Sequence, residues 1–332
     1  MNNYSKITAF DTNYIYKYTS ALTVGPCLSY RNFNILLFPQ TPVDSGFAEN
    51  LKWRSPSDRF WGLDFNYDKF GFTMSFASVE PKAEQDKKGK SSSSSFAFSY
   101  GGNRAFLEFS TMSFKGFYEK NTALMDTTLD VYYQSPELSS FLLNLKAWYF
   151  TNHHKFAFKS CYGGLYRQLR SQASWAFSSN LHFNSIITDS SMIPDSDKQF
   201  YDNALLVKQI NSAGLSLMGG GAWNIVFKKV YFINLAWVLG PDFQALSMLV
   251  NDSIKTRAYV SYAQDFRFAT GFNFNRWYLT FAVKHETNLF KNEFLETRIR
   301  LNSFSLNLGW RLPVKTPKLY KKFQNTWLYA LF

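Results

Sequence analysis

No run in this chain of 332 residues approaches the roughly 18 consecutive apolar residues of a membrane-crossing helix, and the mean hydropathy is −0.24. Transmembrane helices are thereby excluded. A membrane barrel is not, because strands with one apolar and one polar face average to near zero. Cysteine is scarce: Cys27 and Cys161 stand at no metal or redox spacing. The four histidines, His153, His154, His182 and His285, share no spacing that would build a metal centre or a Ser-His triad. No cofactor or metal is expected. The net charge of +12 comes without a recognition helix or single-strand-binding signature, its basic residues being scattered apart from 82–90 and 315–322. Nucleic acid is therefore not expected, whereas anionic lipid or sugar headgroups suit the charge. Met1-Asn2-Asn3-Tyr4 lacks the basic and apolar regions of a secretion signal. That counts against export unless the numbering belongs to a mature chain.

Aromatic residues make up 19% of the chain, with Phe 35, Tyr 20 and Trp 9. They favour strands and form the interfacial girdles of membrane barrels. Between Thr256 and Thr287, Ala258, Val260, Tyr262, Phe266, Phe268 and Phe272 share one parity, and Arg257, Ser261, Asp265, Arg267 and Asn273 the other. After Phe274-Asn275 the alternation resumes on the opposite parity with Trp277, Leu279, Phe281 and Val283, facing away from Thr280, Lys284 and Glu286. This is a hairpin of long strands with polar residues in mid-strand, as a bilayer-crossing hairpin requires.

The same pattern recurs from Ala21 onwards. One long strand over 21–38 shifts parity at Arg31-Asn32, which predicts a bulge, and a similar break falls at Asn302-Ser303. Residues 80–95 read as a solvated, Ser-rich loop. Tight turns are expected near Asp68, Gly102, His153, Lys228 and Asn275. They alternate with long connections at 39–57, 79–93, 115–137, up to 208, and 247–255. Sorting of loops by length is the habit of outer-membrane barrels, with short periplasmic turns and long outer loops. The expectation is an all-β, antiparallel up-and-down transmembrane barrel of 12 strands, or 14 if the bulges are hairpins. It spans 21–312, between a periplasmic extension at 1–20 and a basic-aromatic periplasmic tail at 313–332.

The segments FDTNYI at 10–15, LDFNYDKFGFTMSF at 63–76, FKGFY at 114–118, YFTNHHKFAF at 149–158, RQLRSQAS at 167–174 and LNLGWRL at 306–312 carry a resemblance. Through them the chain resembles an uncharacterised, Bacteroidetes-type outer-membrane β-barrel family, a domain of unknown function. The resemblance implies a barrel in the bacterial outer membrane and no particular activity. Family members normally begin with a secretion signal, and barrels tend to end on their last strand; this chain departs on both points.

Inward parity is assigned to Asp64, Glu108, Lys146, Lys159, Asp265, Arg267, Lys284, Glu286, Arg298 and Arg300. Opposite charges in a narrow lumen either pair and close it or line a selective pore. Cys27 and Cys161 also fall inward, as a disulfide across the lumen or as two buried thiols. Arg167 and Gln168 follow a strand, either as a constriction or as part of a network holding a loop inside the barrel. In the tail, Tyr320, Phe323, Trp327, Tyr329 and Phe332 suit a membrane interface or a protein partner. The expected role is a non-enzymatic accessory or scaffold barrel working with envelope proteins, in contact with lipopolysaccharide or phospholipid. A small channel for polar or anionic solutes is the alternative, and an outer-membrane enzyme a more distant one.

Overall fold

The computed structural model describes residues 10–39, 50–121, 131–201, 206–291, 295–327 and 329. A short strand β1 (Ile15–Lys17) precedes the wall. The wall is made by β2 (Ala21–Pro39), β3 (Leu51–Arg54), β4 (Arg59–Tyr67), β5 (Phe70–Ala77), β6 (Ser92–Gly101), β7 (Ala105–Glu119) and β8 (Tyr133–Phe150). After a short β9 (Tyr166–Gln168), it continues with β10 (Gln172–Ile187), β11 (Val207–Phe227), β12 (Tyr231–Val250), β13 (Ser253–Asn273), β14 (Trp277–Lys291) and β15 (Leu295–Pro313).

Neighbours are antiparallel and consecutive from β4 around to β15, which pairs back onto β2. Among the described residues, twelve strands close the ring. The short β3 continues the line of β4 and bridges β2 to β7 beyond the shorter β5–β6 hairpin. Both ends of the wall, Ala21 and Pro313, lie on one rim, where they pair with each other; we call it the terminal rim and the opposite one the far rim. A helix α1 (Lys82–Lys88) caps the β5–β6 connection at the far rim, and α2 (Lys318–Gln324) follows the last strand.

Turn chemistry fixes several joins. Lys228 and Lys229 have φ of 50° and 58°, and Asn251 and Asp252 have 49° and 59°, the two consecutive positive values of a type I′ hairpin. The second join corrects the long connection expected over 247–255: β12 and β13 run almost to the tip. The run Ser91–Ser95 was expected in a loop, yet β6 begins at Ser92 and pairs with both β5 and β7.

The two parity shifts are not bulges. From Ala21 to Leu37 every odd residue of β2 faces inward without a register shift, and β15 pairs continuously with it from Leu295 to Asn307. What changes is the surroundings. Near the terminal rim the wall is apolar outside: Leu28, Trp61, Leu181, Trp237 and Leu306 are exposed, whereas inward Asn180, Asn224, Asn234 and Asp265 are buried. Beyond about Arg31 on β2 and Asn302 on β15 the arrangement inverts. Phe33, Ile35, Leu37, Phe114, Ile186, Ile210, Leu246, Ile299 and Leu301 point in and form one buried core, while Asn32, Arg298 and Arg300 point out. The outer band reads as a lipid-facing section and the far section as a barrel built like a water-soluble protein.

That inversion corrects the assignment of Arg298 and Arg300, which face outward. Arg298 lies 4.6 Å from the Phe38 ring centre and pairs with Glu296. At the terminal rim, Phe227, Tyr231, Phe272, Phe274 and Trp277 make a continuous outward aromatic strip, the position of an interfacial girdle.

Candidate functional site: an occupied lumen

The connection expected as a tight hairpin at His153 is a long inward excursion. Strand β8 ends at Phe150, β10 starts at Gln172, and 151–171 between them folds into the lumen from the terminal rim. Phe156 and Phe158 are 0% and 2% exposed. Phe158 stacks on Phe106, Trp148 and Phe150 at ring separations of 5.7, 5.7 and 5.1 Å. Lys159 and Cys161 are therefore not strand residues. They belong to this plug, beside a 3₁₀ turn at Phe158–Ser160. Lys159 donates to the Gly101 carbonyl at 2.9 Å. Cys27 and Cys161 are both free and buried.

Side chains from several wall strands hold the plug by its backbone. Thr23 donates to Gly163 O at 3.0 Å, Asn224 to Ala157 O at 3.0 Å, and Arg311 through Nε to Gly164 O at 2.6 Å. Asn273 donates to both Ser160 O and Tyr166 O, at 3.0 and 2.9 Å. The loop then turns through Gly163 and Gly164, with φ of 88° and 66°, values that glycine adopts without steric cost. A Cβ on Gly164 would fall 2.2 Å from the Tyr278 ring. Gln168 staples the return: its Oε1 accepts from Ala157 N at 2.8 Å and its Nε2 donates to Lys155 O at 2.6 Å. Arg167 sits at the rim, bonded to Asn275 at 2.8 Å.

Deeper in the lumen, six charges form a closed network. Lys146 meets Asp265 at 2.5 Å and Glu286 at 2.7 Å, and Lys284 meets the other oxygen of Glu286 at 3.0 Å. Arg267 meets Asp265 at 3.0 Å and Glu108 at 2.7 Å. Three cations and three carboxylates thus neutralise one another across the lumen, which is how buried charges become tolerable. Asp64 lies apart and accepts from Asn66, Thr73 and Tyr278 at 2.6, 2.7 and 3.3 Å. Next along the wall, His182 pairs with Asp242 at 2.9 Å, and Ser216 donates to the same oxygen. A Ser-His relay is absent there because the serine is bonded to the carboxylate and not to the imidazole.

The far end is closed by a second infolded stretch. Met192 and Ile193 join the apolar core, Trp53 donates to Met192 O at 2.9 Å, and Tyr201 donates to Leu37 O at 3.0 Å.

Chain ends gather on the terminal rim. β1 pairs with β9 of the plug, and Lys17 forms an ion pair with Asp68 in the β4–β5 turn. Tyr320 and Tyr329 donate to the other oxygen of Asp68 at 2.8 and 2.6 Å. Tyr320 and Phe323 also pack on Phe70 and Tyr100 of the outward wall. Trp327 is 66% exposed, and Phe332 lies outside the described residues. Burial pushes the Asp68 carboxyl up, but Lys17 and the tyrosine hydroxyls outweigh it and set it below the ordinary carboxylate range. Burial, helped by Lys17, lowers the neighbouring Lys69 ammonium to about 8.

Sequence reasoning that counted mid-strand charges missed Thr23, Asn224, Asn234, Asn273 and, near the end of the last strand, Arg311. The available signal was their inward parity between exposed aromatics. No group of three or more metal-ligating side chains occurs among the described residues.

A family model described as a domain of unknown function, DUF4421, matches residues 9–312. The chain belongs to that family. No curated protein matches this DUF4421 chain. Among solved structures, it is similar to the translocator domain of the autotransporter NalP from Neisseria meningitidis, at 8% identity and a TM-score of 0.41, covering 89% of this chain and 90% of that one. It is similar to an outer-membrane channel from Pseudomonas putida F1, at 11% identity and 0.36, covering 91% and 99%. It is also similar to the P. putida toluene transporter TodX, at 9% and 0.29, covering 90% and 92%.

Proposed function

We propose that this DUF4421 chain is a non-enzymatic barrel of a bacterial outer membrane, of Bacteroidetes type. Its resting lumen is occluded, and it serves as an accessory or scaffold component of an envelope protein complex. The carrying observation is the threefold filling of the lumen: the plug at 151–171, the neutralised charge network, and the apolar far core. The exposed apolar band supports the membrane setting. The outward Arg298 and Arg300 on β15, with Lys52 and Arg54 on β3 across the intervening β2, suit phosphates of lipopolysaccharide or phospholipid beside that band. Exposed Leu319 and Trp327 on the tail supply apolar surface for a protein partner.

Planar-bilayer recordings test the occlusion. The wild-type barrel is expected to insert without discrete current steps, and a variant lacking 156–165 to show them. Steps from the wild type, altered in ion selectivity by Lys146→Glu, would overturn the occluded resting state and favour a small channel for polar or anionic solutes. That second role draws support from the plug being one continuous segment outside the wall. Cross-linking and co-purification from native membranes test the scaffold role. Partners in fixed stoichiometry, lost on deleting 314–332, are the supporting outcome.

A further inference from the structure

A chamber of about 280 Å³ lies in the lumen between the plug and the wall made by β2, β4–β7, β14 and β15. A second space of about 230 Å³ shares Asp64, Thr73, Glu108, Tyr162 and Lys284 with it. The acids on this surface are already matched. Asp64 accepts three hydrogen bonds, and Glu108 takes both amino groups of Arg267 at 2.9 and 2.7 Å. Among the described residues on the larger chamber's wall, Arg267 and Lys284 are paired with carboxylates and Arg31 is not.

Arg31 is 9% exposed, and its guanidinium lines the chamber. Its NH1 donates to Ser95 Oγ at 2.5 Å and its NH2 to Ser75 Oγ at 2.9 Å. Its Cζ lies 4.3 Å from the Phe60 ring centre, and among the described residues no carboxylate pairs with it. A guanidinium carries five N–H donors, so several remain for the cavity. Burying a full charge on two hydroxyls and an aromatic face is costly unless an anion completes the site. A second observation points the same way. Ser29, two residues away on the same inward face and 8% exposed, also lines the chamber, and its Oγ has no hydrogen-bond partner. Ser95, the last residue of the serine run at 91–95, is one of the inward hydroxyls bonded to Arg31.

We propose that the lumen contains a binding site for a small oxyanion, built on Arg31 and Ser29 with Ser75 and Ser95 orienting the guanidinium. Phosphate and carboxylate groups of small solutes are the chemistry it fits, because a planar fork donor and hydroxyls suit paired oxygens. A chamber of this volume holds a small ion with several waters or a short dicarboxylate, not a sugar chain. The site stands independently of whether the lumen conducts.

Cys27, also on the chamber surface, provides an internal reporter. In the full-length barrel in detergent, with Cys161→Ser to leave one thiol, labelling by a small neutral maleimide is followed against inorganic phosphate or succinate at constant ionic strength. Saturable protection is expected in this background, and loss of at least tenfold in apparent affinity in Arg31→Gln. Ser29→Ala, which leaves the charge in place, is expected to weaken protection by roughly fivefold, the worth of one hydrogen bond. Protection by phosphate but not succinate assigns the site to phosphate groups, and the reverse to carboxylates. If neither anion protects, or protection persists unchanged in Arg31→Gln, the proposal fails. Should Arg31→Gln not fold, equilibrium dialysis of labelled phosphate against the Ser29→Ala and wild-type barrels decides, equal binding or none overturning it.

Discussion

Arg267 on β13 clasps Glu108 on β7 from across the lumen, its two amino groups donating at 2.9 and 2.7 Å to the two carboxylate oxygens. The same guanidinium also holds Asp265 and lies 4.7 Å from the Trp148 ring centre. One side chain therefore joins the charge network to the aromatic stack that receives Phe158 of the plug. Removing Arg267 leaves the Glu108 carboxylate unmatched, whereas removing Glu108 leaves Arg267 still paired with Asp265. Arg267→Ala should cost about 3 kcal/mol and Glu108→Ala less. The double variant should lose less than their sum, by about 1–3 kcal/mol. Urea unfolding in lipid vesicles measures the cycle; strict additivity would mean the pair is not coupled.

The plug depends on a glycine. Gly164→Ala puts a methyl group into the Tyr278 ring and places an L-residue at φ 66°. The cost of the backbone alone is about 1–2 kcal/mol. The wall, which does not contain this residue, should still form and keep its heat-resistant mobility in detergent. The plug should loosen, seen as faster thiol labelling of Cys161 than in the wild type. Unchanged labelling would show that the loop accommodates the methyl in place.

At the terminal rim, Asp68 links Lys17, Tyr320 and Tyr329. Its carboxyl ionises below its ordinary value, so it contributes docking energy that is present above about pH 4 and is lost as pH falls through its lowered folded value. Lys69 acts in the opposite sense. Its folded value of about 8 lies below the unfolded one near 10.4, so docking strengthens as pH rises through that interval. Limited proteolysis of the tail should show protection from pH 5 to 7 and release in acid. Asp68→Asn should expose the tail at neutral pH and flatten the acid transition. A tail equally protected at pH 3 would refute the link.

Outward positions separate the two sections of the wall. Trp237→Arg places a cation in the lipid-facing band, where the cost is about 2–4 kcal/mol near mid-bilayer. Arg300→Leu lies past the point of inversion and should change stability by less than about 0.5 kcal/mol. Folding yields into vesicles compare them. Equal effects would place both residues in the same medium.

Much of the wall was legible from alternation alone. Arg257 to Phe272 reads as a strand, and the opposite parity of Trp277 to Val283 reads as its return. The pattern at Arg31-Asn32 and Asn302-Ser303 was also visible, but a change of register and a change of surroundings write the same sequence. Either one moves the apolar residues to the other parity. Only the unbroken pairing of β2 with β15 separates them, and with it the true direction of Arg298 and Arg300. The plug was hidden for a different reason. Phe156 and Phe158 alternate with Lys155, Ala157 and Lys159 as a strand would. Phe106 and Trp148, which receive Phe158, come from strands laid down earlier in the chain. Arg31 went unremarked because it stands on the suspected bulge.

The inversion of the wall also divides its thermodynamics. In the lipid-facing section, apolar side chains pass on unfolding from one hydrocarbon medium towards another, with little new hydration. In the far section, Phe33, Phe114, Leu246 and Ile299 would meet water. Unfolding therefore draws its heat-capacity increase from the far core and from the aromatic stack around Phe158 of the plug, not from the outer band. Those buried clusters should weaken on cooling, so cold loosens the contents of the barrel while its lipid-facing skin barely responds.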